Sequence, residues 1–311
     1  MKDALVVLAG PTAVGKTALS IALAKELNAE IISGDSMQVY RGMDIGTGKI
    51  KPEEMDGVVH HLLDIKEPKE GFSAAEFQKL AKAKILDITT RGKLPMIVGG
   101  TGLYLSALIY DYDFAQSEYD QEYRDYLTQI AREEGNAKLL QMLSAVDQKT
   151  AKKLNLQDTK RIIRALEIYH LSGQPLSEQK QLGRERECAY NLAFIVLDMN
   201  RQALYQKIEK RIDSMLADGW LNEVENLLNQ GLDITDVAMQ GLGYRKLALY
   251  LKGEISYERA VELTKRDTRH FAKRQLTWFR HESNVSWINK DNKTEEEVLA
   301  EALSIIKRKI Y

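Results

Sequence analysis

The chain has 311 residues, 44% hydrophobic and 29% charged, enough for a sizeable core and more easily divided into two folding units than built as one. A formal net charge of -1 excludes a global pull toward nucleic acid or membrane, so any grip on a polyanion must come from local clusters of Lys and Arg. Cys188 is the only cysteine, which excludes an internal disulfide framework or a cysteine-based zinc module and suits a reducing cytoplasm.

The apolar start "ALVVLAG" is too short for a signal segment and runs into Pro11 and Lys16 without a small-residue cleavage pattern. No stretch approaches the length of a membrane span. "ALVVLA" reads as a buried-type strand, followed by "GPTAVGKT" and by "GKTALSIALAKEL", whose apolar spacing predicts a helix. "AEIISGDS" is a second strand ending in polar residues. "FSAAEFQKLAKAKILDITTRGK" predicts an amphipathic helix after Gly71, capped by Ser73 with Glu76 three residues on. "LPMIVGGTGLYLSALI" is a further strand that turns through glycines into a helix. Strands alternating with helices imply a parallel sheet whose ligands bind at the carboxyl ends of the strands.

After Tyr110 the pattern is helical, without strand-like runs, until "NLAFIVLDM" returns to strand character. The fold class expected is therefore α/β: a P-loop NTPase-like parallel sheet core flanked by helices, carrying an all-helical insertion domain. The core is expected over 1–112 plus 193–311 and the insertion over 113–192. From Arg201 onward the chain reads as mostly helical.

The octet Gly10, Pro11, Thr12, Ala13, Val14, Gly15, Lys16, Thr17 fits GxxxxGK[ST], a pattern expected by chance in about one chain in a hundred of this size. Its glycines let backbone N–H groups wrap an anion, the helix start adds a favourable dipole, Lys16 neutralises charge, and Thr17 is a candidate Mg2+ ligand. An ordinary NTPase or small-molecule kinase also needs a strand-terminal Asp for the metal. "MIVGGTG" ends in glycines at that place, and Asp198 in "IVLDM" reads better as a helix cap.

In "SGDSMQVYRGMDIGTGK", Asp35 follows a strand on the same rim as the cradle and suits a base, a metal ligand or a turn former. Thr101 in "GGTG" stands at another strand end, where close helix packing is an alternative explanation for the glycines. His60 and His61 read as satisfied sheet histidines. Two basic clusters remain. One comprises Lys149, Lys152, Lys153, Lys160, Arg161 and Arg164; the other runs from Arg259 through Arg274 to Arg280, beside Trp278 and Phe279. Each alone is compatible with a solvated helix face, and together they suggest a track for a nucleic-acid backbone.

With the cradle, "DSMQVYRGMDIGTGK", "GGTGLYL", "DTKRIIRALEI", "AMQGLGYRK" and "AKRQLTWFR" in this order, the chain resembles the bacterial tRNA dimethylallyltransferases over essentially its whole length. The resemblance implies transfer of a dimethylallyl group from dimethylallyl diphosphate to N6 of adenosine 37 in the tRNA anticodon loop, with the cradle and Mg2+ holding the departing diphosphate. It implies that Asp35 is the general base, that Thr101 positions the reacting groups, and that Arg201 is a candidate diphosphate clamp. It also implies tRNA contacts at Asp35, Ser36, Met37 and Gln38 and at Asp158, Thr159, Lys160, Arg161 and Ile162. Arg164, Arg274 and Arg280 extend these through their basic character. The zinc-finger extension of eukaryotic relatives is not expected beside a single cysteine. The expected protein is a cytoplasmic monomer with tRNA and dimethylallyl diphosphate as partners and no membrane contact. The alternatives are a kinase or prenyltransferase acting on a free adenine nucleotide and a nucleic-acid-binding NTPase without transfer chemistry.

Overall fold

A computed structural model describes residues 2–112, 114, 120–178 and 187–311. The chain divides into two compact units, Met1–Asp111 with Cys188–Tyr311, and Tyr112–Glu187.

The first unit is built on six parallel strands: β1 (Ala4–Ala9), β2 (Ala29–Ser33), β3 (His60–His61), β4 (Leu94–Gly99), β5 (Asn191–Asp198) and β6 (Val285–Asn289). Their order across the sheet is β3-β2-β4-β1-β5-β6. The strands of a sheet covered by helices on both faces are apolar throughout rather than alternating with polar residues, and β1 and β2 are buried almost end to end. Successive residues still serve opposite faces. Val6 and Leu8 enter one core with Ile31, Met96 and Ile195, while Leu5, Val7 and Ala9 enter another with Ile32, Ile97 and Phe194.

The helices of this unit are α1 (Lys16–Leu27), α2 (Ala74–Thr90), α3 (Gly102–Ile109), α8 (Arg201–Ala217), α9 (Trp220–Asn229), α10 (Tyr244–Leu251), α11 (Tyr257–Phe279) and α12 (Glu295–Ile310). The cap expected at α2 is present: Ser73 Oγ accepts from Glu76 N at 3.1 Å. The Glu76 carboxylate pairs with Lys66 at 2.8 Å instead of turning back to the cap. Two other readings need correction. "VSWIN" is β6, a short strand not singled out within a region read as mostly helical, recruited by parallel pairing with β5. Asp198 is not a helix cap, because its Oδ1 accepts from the adjacent Met199 N while Asn200 caps α8 through Gln202 N and Ala203 N.

The second unit contains α4 (Gln121–Glu133), α5 (Asn136–Val146), α6 (Gln148–Ala151) and α7 (Thr159–Ser172). Leu127, Ile130, Leu139, Leu143, Ile162 and Leu166 form its core. Of the span read as an insertion, 113, 115–119 and 179–186 lie outside the described residues. No helix among the described residues is long and apolar enough to cross a membrane.

Candidate active site

The chain leaves β1 toward β2 on one side of the sheet and leaves the adjacent β5 toward β6 on the other. Such a divergence opens a crevice at the carboxyl edge of a parallel sheet, and the octet after β1 fills that position. Gly10 has φ +147°, and a Cβ there would lie 2.8 Å from the Leu197 carbonyl on β5, so the turn requires glycine. The first turn of α1 carries no acidic residue, leaving its free N–H groups and dipole open to an anion. Lys16 Nζ donates to the carbonyls of Gly10 at 2.9 Å and Pro11 at 2.8 Å. Burial and the nearby Arg211 push its pKa down to about 7, against the opposing influence of Asp35. An arriving anion would stabilise the ammonium form. Thr17 is exposed on the same turn.

Asp35 stands just beyond β2. Its Oδ1 accepts from Met37 N at 2.8 Å and Gln38 N at 3.4 Å, which makes it a turn former. The same residue lines the cavity over the cradle. Thr101 Oγ1, beyond β4, accepts from Ser36 N at 3.2 Å and ties the two strand ends together. These ends meet so closely that a Cβ on Gly99 would lie 2.4 Å from the Gly34 carbonyl. Close packing and site geometry therefore coincide in "GGTG". Gln38 faces inward, accepting from Ser33 Oγ at 3.1 Å. His60 and His61, on the edge strand β3, are engaged with Val58 O at 2.9 Å and Glu30 at 2.8 Å.

Two compartments meet above the cradle. A polar one of about 320 Å³ is lined by Lys16, Thr17, Asp35, Lys207, Arg211 and Gln275 among others. A more apolar one of about 310 Å³ is lined by Met37, Ile208, Ile212, Met215, Trp220, Leu242 and Tyr244, with Arg274 also on its wall. Asp35, Arg211 and Phe271 belong to both linings. The combination is suited to a ligand with an anionic head and an apolar tail. Sequence reasoning missed Lys207, Arg211, Phe271 and Gln275. Lys207 and Arg211 are four apart on α8, and the same i,i+4 step separates Phe271 and Gln275 on α11, a spacing that puts each pair on one face. Arg201, on the first turn of α8, is not among the lining groups. It is exposed, and its Nε donates to Tyr205 OH at 3.0 Å.

The late basic cluster is largely neutralised where it lies. Arg259 pairs with Glu262, Lys265 with Asp213, Arg266 with Asp267 and Arg269 with Glu209. Lys273 and Arg274 are exposed on the last turns of α11 and Arg280 just beyond it, with Trp278 beside them. In the second unit, Lys149, Lys152, Lys153, Lys160 and Arg161 are exposed. Arg164 instead pairs with Glu167, a fully buried carboxylate that Arg124 also holds at 2.8 Å. Ile162 is fully buried in that unit's core. Asp158 and Thr159 sit at the start of α7, where Asp158 accepts from Asn155 N at 2.9 Å and Thr159 accepts from Asn136 at 2.7 Å.

A parallel sheet with an anion cradle at its divergence point, opening into an apolar compartment, defines a P-loop-type α/β site for a ligand with an anionic and an apolar part. Comparison with known proteins gives the narrower class: residues 38–282 match the IPP transferase family model, and the chain belongs to that family. The tRNA dimethylallyltransferase of Geobacillus thermodenitrificans is 52% identical over 93% of this chain and 91% of its own length. That of Lachnoclostridium phytofermentans is 49% identical over 98% of both. Among solved structures, the full-length tRNA isopentenylpyrophosphate transferase of Bacillus halodurans matches with TM-score 0.74 and 43% identity, over 99% of this chain and 98% of that one. A eukaryotic dimethylallyltransferase acting on tRNA matches with TM-score 0.82 and 28% identity, over 99% of this chain and 80% of that one.

Proposed function

We propose that this chain transfers a dimethylallyl group from dimethylallyl diphosphate to N6 of adenosine 37 in the anticodon loop of tRNA. The observation that carries the reading is the two-compartment cavity, an anion cradle joined to an apolar pocket with one carboxylate at the junction. Adenine N6 has a delocalised lone pair and is a weak nucleophile, so the reaction needs an electrophilic allylic carbon, a stabilised leaving anion and a proton acceptor. The free N–H groups at the start of α1, from Gly15 to Thr17, the Lys16 ammonium and the Arg211 guanidinium supply the second. Asp35 supplies the third. As N6 bonds to the allylic carbon, the carbon–oxygen bond to diphosphate breaks, and the N6 proton passes to the Asp35 carboxylate. Thr101 holds the loop that carries Asp35.

Mg2+ takes most of its ligands from phosphate and water. The chain offers it the exposed Thr17 hydroxyl, and no group of three His, Cys, Asp or Glu among the described residues is arranged to hold a metal. That donor set fits a metal arriving with the diphosphate, whose charge it would help neutralise.

A nucleobase modified at an exocyclic nitrogen must leave its stack. Ser36 to Gln38 and the exposed Arg274, Arg280 and Trp278 would receive the loop, while Lys160, Arg161 and the neighbouring lysines grip phosphates. We take the working species to be a single chain in the cytoplasm, a compartment that its lone cysteine suits. Incubation with labelled dimethylallyl diphosphate and, separately, tRNA, AMP or ATP tests the reading. Label should enter tRNA at one adenosine, with diphosphate released in equal amount. Labelling of AMP or ATP but not tRNA would overturn it.

A further inference from the structure

The loops that follow β1, β2 and β4 must hold the leaving group and the base at a fixed separation, yet only part of that spacing comes from the sheet. We infer that Gln275 is a positioning residue that sets it, an inference resting on the transfer reaction proposed above. Gln275 is 7% exposed on α11 and lines the polar compartment with Lys16, Thr17 and Asp35. Its Oε1 accepts from Thr12 N in the cradle at 3.0 Å, and its Nε2 donates to Gly100 O in the glycine loop at 3.0 Å. One side chain therefore joins the cradle to the loop after β4. The next residue of that loop, Thr101, continues the connection by accepting from Ser36 N at 3.2 Å. Ser36 follows Asp35, whose carboxylate is fixed to its own loop through Met37 N at 2.8 Å. An unbroken path runs from the cradle through Gln275, Gly100, Thr101 and Ser36 to Asp35.

The residue type is constrained by both ends of the path. A carboxamide presents one acceptor and one donor on the same planar group. A carboxylate could accept from Thr12 but could not donate to Gly100 O, and it would add negative charge beside the cradle. A methionine has the length and apolar bulk but neither bond. The site also excludes a side chain opposite: a Cβ on Gly100 would lie 2.1 Å from Gln275 Nε2. A side chain at 100 would therefore push the Gln275 amide out of its place. Gln275 touches neither reacting atom in this account. It acts on the separation between them, and an error of about 1 Å in such a separation costs on the order of a hundredfold in rate.

The test is steady-state and single-turnover kinetics of Gln275→Met and Gly100→Ala, the second displacing the amide while leaving Gln275 in place. Expected is a 10- to 100-fold fall in kcat for each, with KM for tRNA and the Kd for inorganic diphosphate within about threefold of wild type. Combining Gln275→Met with Thr101→Ala should cost clearly less than the product of the two single effects, because both cut one path. A purely structural role would lower thermal stability and leave kcat per folded molecule unchanged, and that result overturns the inference. So does a loss carried by KM alone, or full multiplicativity with Thr101→Ala. Wild-type protein in the same assay separates the two claims: if it does not prenylate tRNA, the proposed reaction fails, and if it does while Gln275→Met matches it, only the role of Gln275 fails.

Discussion

In the sheet unit, the cations at the candidate site are desolvated and face a cavity: burial lowers the pKa of both Lys16 and Arg211, and Asp35 opposes that shift in each. In the helical unit, Lys149, Lys152, Lys153, Lys160 and Arg161 lie exposed, and the two arginines turned inward serve the buried Glu167. Burial multiplies what a charge does to a neighbouring anion and makes its placement critical. Exposure gives a charge that salt screens and that adds to affinity in small, nearly independent steps. Under the proposed reaction, the same residue types would serve rate in one unit and grip in the other.

Removing Asp35's proton acceptor should give the largest effect. Asp35→Asn keeps the bonds to Met37 N and Gln38 N and should lower the single-turnover rate by roughly two to four orders of magnitude. Its tRNA affinity, read by filter binding, should stay close to wild type. Lys16→Ala follows, with a fall in kcat of about two to three orders of magnitude from lost stabilisation of the departing diphosphate. Prenyl transfer should proceed without ATP consumption in both the variant and the wild type. Stoichiometric ATP hydrolysis during transfer would break the assignment of the cradle to a leaving group.

The lowered pKa of Lys16, about 7, sharpens the comparison through pH. Diphosphate favours the ammonium form, so affinity should be full below pH 7 and weaken as pH rises through that value, by up to about tenfold per unit. Lys16→Arg, which does not deprotonate in this range, should flatten the dependence measured by calorimetry with inorganic diphosphate. In the helical unit, replacing Lys152, Lys160 and Arg161 with alanine should reduce the salt slope of tRNA affinity by up to about 2, at roughly 0.7 per single-strand phosphate contact. Diphosphate affinity should not change. Arg164→Ala should act differently from its neighbours, destabilising the unit by about 2 kcal/mol in chemical denaturation through loss of a charged hydrogen bond to buried Glu167.

Much of this was legible in the sequence because short-range chemistry writes it there. The octet and its flanking strand and helix, the Ser73 cap, and the rim positions of Asp35 and Thr101 follow from local spacing. What escaped depends on contacts between residues distant in the chain. Gln275 is 263 residues from Thr12, and α11 reads as a basic helix until its inward face is seen against the cradle. Lys207 and Arg211 hide in an ordinary amphipathic pattern. β6 is five residues long, too short for its period to be distinguished without the partner strand. Charge clusters were visible as composition, but their division into paired and free members depends on acids such as Glu167, Glu209 and Asp213 that only folding brings alongside.

The division of labour between the two units is tested most directly by the single-turnover transfer rate of the Lys152, Lys160 and Arg161 alanine variant at saturating tRNA. A helical unit that contributes grip alone predicts a rate equal to wild type, with only the tRNA concentration needed for saturation increased. A rate reduced tenfold or more at saturation would mean that these charges help build the transition state, and would contradict the account.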